Sequence, residues 1–290
     1  MAEGVFGIGR GGRSRLLAID ILPQPDDETC GPTCLHAVYR YWGDGRSLEE
    51  VIESVRSLSA AGAGRGTLAV MLGIHALRSG YAASLYTFNL QMFDPTWFDA
   101  DGHAQASLLH QKLCAQRQAK CPGGVHPLDP RFSVATDSYL EFLDLGGRVL
   151  FCDLTSELIS GFISDGLPVL TGLSATYLYR CAREYGPNDD YDDVRGEPTG
   201  HFVVLHGYDE SPRLVRVADP LKDNPGFEAQ HYDVPLSRMV PAIMLGVLTY
   251  DANLLVIEPR RTADRGSSVA VPSGDGRRGG GPAGGRVPAS

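Results

Sequence analysis

The chain is poor in the features that most quickly assign a protein to a class. No apolar run approaches the roughly 18–20 residues of a membrane span, and the opening MAEGVFGIGRGGRSR has no apolar stretch of signal-peptide length. Bases are outnumbered, 26 Lys and Arg against 35 Asp and Glu, for a net charge of −9. Binding to nucleic acid by phosphate neutralisation is therefore not expected. Cysteine is sparse, six residues at irregular spacing, unlike the framework of a small secreted disulfide scaffold. A cytoplasmic protein with reduced thiols and no membrane span is the expectation. The sequence holds no Walker-type phosphate loop, and no repeat that would build a solenoid or propeller.

What remains is an ordinary globular composition, 43% hydrophobic and 21% charged over 290 residues, enough for one large domain or two small ones. Residues 15–22 (RLLAIDIL) read as an opening strand that runs into the turn-forming PQPDDE. From Gly31 the pattern is helical: Pro32 suits a first turn, and Leu35, Val38, Tyr39 and Trp42 recur at helical spacing. Ser47 and Glu50 form a capping box for a second helix to about Leu58, and the glycine-rich 60–66 reads as a flexible joint. Thr67 opens a third helix, closed by Gly80, and YAASLYTF follows as a strand. Helices are expected near Gln105–Lys120, Ser138–Asp144 and Ser156–Ile163. After Gly166 the character turns to strand: LPVLTGL, HFVVLHGY, RLVRVADP and NLLVIEP. Helices early and strands late predict a segregated α+β domain over 15–260. A flexible start at 1–14 and a disordered Gly/Pro-rich tail at 261–290 flank it.

Cys30 lies where a polar loop meets a helix, so its sulfur sits among unpaired backbone N–H groups at the positive end of the dipole, a setting that favours a nucleophilic thiolate. The alternative is a buried structural cysteine that happens to precede a helix. Cys34, one turn on, reads as core-facing. A dithiol redox centre at CGPTC is weak, because three residues rather than two separate the sulfurs, and a zinc site lacks a second ligand pair.

A thiolate needs a base, and His201 begins an alternating strand, with His206 on the opposite face. Pairing Tyr208 with Arg213 across the DESP turn sets Pro220 opposite His201, and a one-residue bulge would bring Asp219 there. A carboxylate so placed fixes the imidazole tautomer and stabilises its cation. Gln24, in the loop leading to Cys30, can offer its amide to a developing oxyanion beside the Cys30 N–H. Each residue alone has a bland reading, respectively an edge-strand histidine, an Asp-Pro turn and a solvated glutamine.

Taken together, QPDDETCGPTCL (24–35), DGLPVLTGL (165–173), GHFVVLHGYD (200–209) and VADP (217–220) resemble the papain-like cysteine peptidases, and among them the bacteriocin-processing, double-glycine-leader peptidase-like family in stand-alone form. The resemblance implies a papain-like fold, in which a helical layer bearing the cysteine packs on an antiparallel sheet bearing His and Asp. It implies Cys30 as nucleophile, His201 as base, Asp219 as orienting carboxylate and Gln24 as oxyanion donor, with no cofactor or metal. The implied function is a cysteine peptidase or amide hydrolase acting through a thioester on a peptide or amide. A transpeptidase or transglutaminase-like acyltransferase, and a non-catalytic peptide-binding domain, remain alternatives; oligomeric state is left open. The chain departs from a compact peptidase in a longer, partly helical segment at about 88–155. There Phe93, Trp97 and Phe98 read as local core more readily than as a lid. The acidic REYGPNDDYDDVRGEP before His201 reads as a solvated loop more readily than as a lip for a basic substrate.

Overall fold

The computed structural model describes residues 14–59, 67–121, 123–124, 126, 129–249 and 252–260. The joint at 60–66, the tail at 261–290 and, but for Ser14, the expected flexible start lie outside the described residues. Strands β1 (Ser14–Leu16), β2 (Tyr81–Thr87), β3 (Arg148–Leu150), β4 (Val169–Ser174), β7 (Gly200–Asp209), β8 (Leu214–Ala218), β9 (His231–Pro235) and β10 (Asn253–Pro259) form one sheet. Its order is β3-β2-β10-β4-β7-β8-β9, with β1 also on β7, and β5 (Glu184–Tyr185) and β6 (Asp190–Tyr191) form a separate hairpin. All pairings in the large sheet are antiparallel except β2 with β3.

Alternation along the strands divides the apolar residues between two faces. Phe202 and Val204 of β7 and Leu255 and Ile257 of β10 join a core shared with helices α1 (Cys30–Tyr41), α2 (Leu48–Ser59), α3 (Ala69–Arg78), α4 (Ala106–Lys120) and α5 (Pro130–Asp144). Val203 and Leu205, with Leu254 and Val256, join a second core beneath α6 (Ser156–Ser164), α7 (Ala175–Tyr179) and α8 (Leu236–Leu245). A central strand buried on both faces reads as a continuous apolar run, as FVVL does. The fold is thus the expected α+β arrangement of a cysteine-bearing helical layer on a mostly antiparallel sheet, with three helices on the far face.

Local chemistry accounts for most element ends. The Ser47 N–H donates to Glu50 Oε2 at 2.7 Å while the Glu50 N–H donates to Ser47 Oγ at 3.2 Å, the reciprocal box expected at the head of α2. Gly80 turns the chain from α3 into β2 at φ 89°, a conformation open to glycine without strain. The opening strand is shorter than RLLAIDIL: its ladder with β7 ends when the Leu17 N–H reaches His206 O at 2.7 Å. Leu17, Ile19 and Ile21 nonetheless stay buried in alternation. The third helix starts at Ala69 rather than at Thr67. In the long segment at 88–155, α5 lays Tyr139, Phe142 and Leu143 into the first core. Phe93 is buried there too, edge-on to Trp97, Phe98 and Tyr139, which is the local-core arrangement.

Candidate active site

Cys30 is the first residue of α1, half-buried, at the end of a tightly folded loop. In that loop Asp26 Oδ1 accepts the Glu28 N–H at 3.1 Å, the Thr29 hydroxyl donates to Asp26 O at 2.9 Å, and Arg56 of α2 grips Asp26 Oδ2 at 2.6 Å. The head of α1 presses close on β7. A Cβ on Gly31 would stand 3.2 Å from Leu72 Cδ1 and 3.2 Å from Phe202 Cδ2, so only glycine fits without displacement. Cys34 faces inward as expected, its thiol 3.2 Å from Phe202 O, and burial pushes that thiol far up, leaving it inert. Its anchor on Phe202 holds the helix head beside the neighbouring residue of β7, His201.

His201 pairs with Leu173 across the ladder to β4. The expected pairing of Tyr208 with Arg213 does not occur: Tyr208 faces Val215 and Asp209 faces Leu214. Pro212 has no N–H to give a ladder, Arg213 sits at φ 65°, and Asp209 Oδ1 accepts the Ser211 N–H at 3.1 Å, so pairing begins only at Leu214. A bulge between Leu205 and Gly207 then shifts the register by one residue. Asp219 follows the end of β8 and turns its carboxylate back, so that it meets His201 without standing opposite it. The distance from His201 Nε2 to Asp219 Oδ1 is 2.8 Å, and Asp219 is wholly buried.

Cys30 lies close enough to the ring to favour the His201 cation along with Asp219. Burial disfavours the His201 cation, but the Asp219 charge and hydrogen bond, with Cys30, outweigh it and push His201 up to about 10. Burial also opposes the Asp219 anion. The His201 charge and hydrogen bonds from His201, Tyr232 and Tyr179 nevertheless hold the carboxyl below its ordinary 3.8.

Sequence reasoning missed the groups around Asp219. Tyr179 of α7 and Tyr232 of β9 donate to Oδ2 at 2.7 and 2.6 Å, and the Leu221 N–H donates to Oδ1 at 2.8 Å. Nothing in a one-turn helix or an alternating HYDVP strand separates a clamping tyrosine from a surface one. Gln24 reaches the same end of the sheet, its N–H donating to Pro220 O at 2.9 Å. Its Nε2 donates to Asp26 O at 2.9 Å, which leaves the second amide hydrogen for another acceptor, while the buried Oε1 meets no donor among the described residues. His206 is spent on Leu17 O, 2.9 Å from Nδ1.

The acidic segment reaches this region at its inner end. The Glu184 carboxyl is pushed up by burial, drawn down by a Thr199 hydrogen bond, pushed up by the charges of Asp189 and Asp27, and drawn down by His201. A cleft of about 540 Å³ lies between the turn after α1, α2 and α3 and is lined by Asp44, Arg46, His75 and Arg78. Arg46 there is committed to Asp44 and Ser79, and His75 Nδ1 to the Tyr39 hydroxyl. That cleft offers no comparable nucleophile and base. Among the described residues no group of three or more metal-ligating side chains converges, and no helix is long and apolar enough to cross a membrane.

Residues 133–239, from within α5 into α8 and including His201 and Asp219, match the model of the Peptidase_C39 like family. No curated protein matches the chain. Among solved structures, a putative C39-like peptidase from Bacillus anthracis aligns over 86% of this chain and 98% of its own, at 14% identity and a TM-score of 0.36. Xylellain, a cysteine protease from Xylella fastidiosa, aligns over 86% of each chain at 14% identity and a TM-score of 0.39. The similarity to the Peptidase_C39 like family thus spans the segment that supplies the histidine and the aspartate.

Proposed function

We propose that this protein is a cysteine peptidase or amide hydrolase whose reacting groups are Cys30, His201 and Asp219, with Gln24 completing an oxyanion site. The observation that carries the reading is the buried His201–Asp219 hydrogen bond of 2.8 Å, with Cys30 near enough to favour the cation of the same ring. That geometry suits acyl transfer. The Cys30 sulfur attacks a substrate carbonyl, His201 holds the thiol proton and delivers it to the departing amine, and a thioester forms. Water, deprotonated by His201, then attacks the thioester carbonyl, the C–S bond breaks to release the carboxylic acid, and His201 returns the proton to sulfur. Asp219 fixes the ring and balances its cation. The Cys30 N–H and the Gln24 amide would face the oxyanion, where preorganised donors are most effective. The substrate is a peptide or amide, no cofactor takes part, and six cysteines without a disulfide suit a reducing, cytoplasmic compartment.

Digestion of a peptide library followed by mass spectrometry tests this. The wild type is expected to generate new termini, and Cys30→Ala none. Iodoacetamide should label Cys30 faster than Cys114, Cys152 or Cys181, and His201→Ala should remove that preference. Full turnover by Cys30→Ala would discard the mechanism, and indiscriminate labelling would favour a binding domain. Products extended by an added amine would indicate acyl transfer to amines in place of hydrolysis.

A further inference from the structure

The surroundings of Asp219 are more elaborate than the orientation of one imidazole requires. A carboxylate has about four acceptor positions, and here each meets a donor. Oδ1 takes His201 Nε2 and the Leu221 N–H, both at 2.8 Å, and Oδ2 takes the Tyr179 and Tyr232 hydroxyls. The two phenols come from different elements, α7 and β9, and a third ring joins them. Phe227 stacks on Tyr232 with centroids 3.8 Å apart and meets Tyr179 edge-on at 6.4 Å. The loop carrying Phe227 is stapled by the fully buried Asn224. Its Nδ2 donates to Leu221 O and Ala229 O at 3.0 and 2.8 Å, and its Oδ1 accepts the Phe227 N–H at 2.8 Å. Gly226 lets this loop close on Tyr179, for a Cβ there would stand 2.8 Å from Tyr179 Cα.

We infer that Tyr179 and Tyr232 are positioning residues for this site: a phenol pair that, seated with Phe227, seals Asp219 from water and saturates its outer oxygen, keeping the carboxylate an anion aimed at His201. The inference rests on the reading of Cys30, His201 and Asp219 as the reacting groups. The titratable side chains acting on Asp219 from the packed elements are His201, Tyr179, Tyr232 and Cys34, with Cys30 reached through the His201 ring. Burial and the Asp219 charge keep both phenols protonated, so they remain donors far into alkali. A protonated Asp219 would instead present its own O–H to groups that are already donors. Each phenol therefore works against protonation of Asp219, and through it sustains the imidazolium beside Cys30 at low pH.

The test uses the full chain and needs no substrate. Cys30 alkylation by iodoacetamide is followed across acid and alkaline pH, by mass spectrometry, in the wild type, Tyr179→Phe, Tyr232→Phe, the double variant and His201→Ala. Phenylalanine keeps each ring and its packing and removes only the donor. Each substitution should move the acid limb of the Cys30 profile upward by about one pH unit, the size of a hydrogen bond to a charged group, and the double variant should move it further. A purely structural role would lower the rate by one factor at every pH, and an acid limb left in place would overturn the inference. If the double variant fails to fold, the single variants carry the same comparison. If the wild-type profile already equals that of His201→Ala, the site reading itself fails, a result distinct from unmoved limbs in the tyrosine variants alone.

Discussion

Replacing Asp219 with asparagine should reverse the sign of the dependence of folding stability on pH near neutrality. In the wild type His201 is pushed from 6.5 up to about 10. Its stabilising contribution is therefore complete below the unfolded value of 6.5 and is lost as pH rises through about 10. The Asp219 carboxyl is held below 3.8, so its contribution is present above 3.8 and lost as pH falls through the native value. Between 6.5 and about 10 the unfolded chain has released a proton that the native one keeps, and stability declines by up to about 1.4 kcal/mol per pH unit. In Asp219→Asn, Oδ1 can still accept from His201, and the two phenols can rotate to accept from the amide. The charge is gone, however, and burial, the largest influence on the ring and now opposed only by Cys30, lowers His201. The native chain now binds the fewer protons near neutrality, so stability rises with pH where the wild type falls. Breaking a buried pair costs about 3–5 kcal/mol in addition. Urea denaturation of both proteins at several pH values, taken as a difference so that other titrating groups cancel, measures this. Parallel curves would refute the assignment of the His201 shift to Asp219. Turnover, where present, should suffer less than in His201→Ala, because the ring keeps its hydrogen-bond partner.

The sequence revealed those parts of the site that are fixed by local chemistry. A glycine and a proline after Cys30, then apolar residues at helical spacing, announce the helix head, and the chain folds so from Cys30 itself. Alternation around His201 announces a strand. The register of the hairpin was not legible, because turn geometry decides it: Pro212, Arg213 and the Asp209 cap delay pairing to Leu214, and the bulge beyond Leu205 recovers only one residue of the difference. Asp219 meets His201 because the chain leaves the ladder there, an event no pairing rule anticipates. The hidden elements share another cause. Helix α8 carries Pro241 in its interior, α7 is a single turn, β9 is short, and β3 pairs in parallel over three residues. Each depends on packing against the sheet more than on its own propensity. The phenol pair belongs to this class, since Tyr179 and Tyr232 become neighbours only after α7 and β9 have docked.

Two further substitutions separate positioning from chemistry. Gln24→Ala should lower turnover by about 10²–10³-fold with little change in KM if its amide serves the oxyanion. Its backbone bond to Pro220 O is untouched, and the side-chain bond to Asp26 O that is lost is exposed, so the melting temperature should move little, and a loss confined to KM would assign the residue to binding. Gly31→Ala probes the contact that seats the helix head on β7. The added methyl would stand 3.2 Å from Leu72 Cδ1 and from Phe202 Cδ2, closer than packing allows without displacement. Alanine also gains about 1 kcal/mol of helix propensity over glycine, so the two effects oppose each other and thermal stability should move by less than about 1 kcal/mol. Position is not compensated in this way. Phe202 adjoins His201, and a shift of the helix head by a few tenths of an ångström moves Cys30 away from the ring, so His201-dependent alkylation of Cys30 should fall while the fold persists. Unchanged alkylation in a stably folded Gly31→Ala protein would mean that Cys30 and His201 are not held together by the seating of α1 on β7.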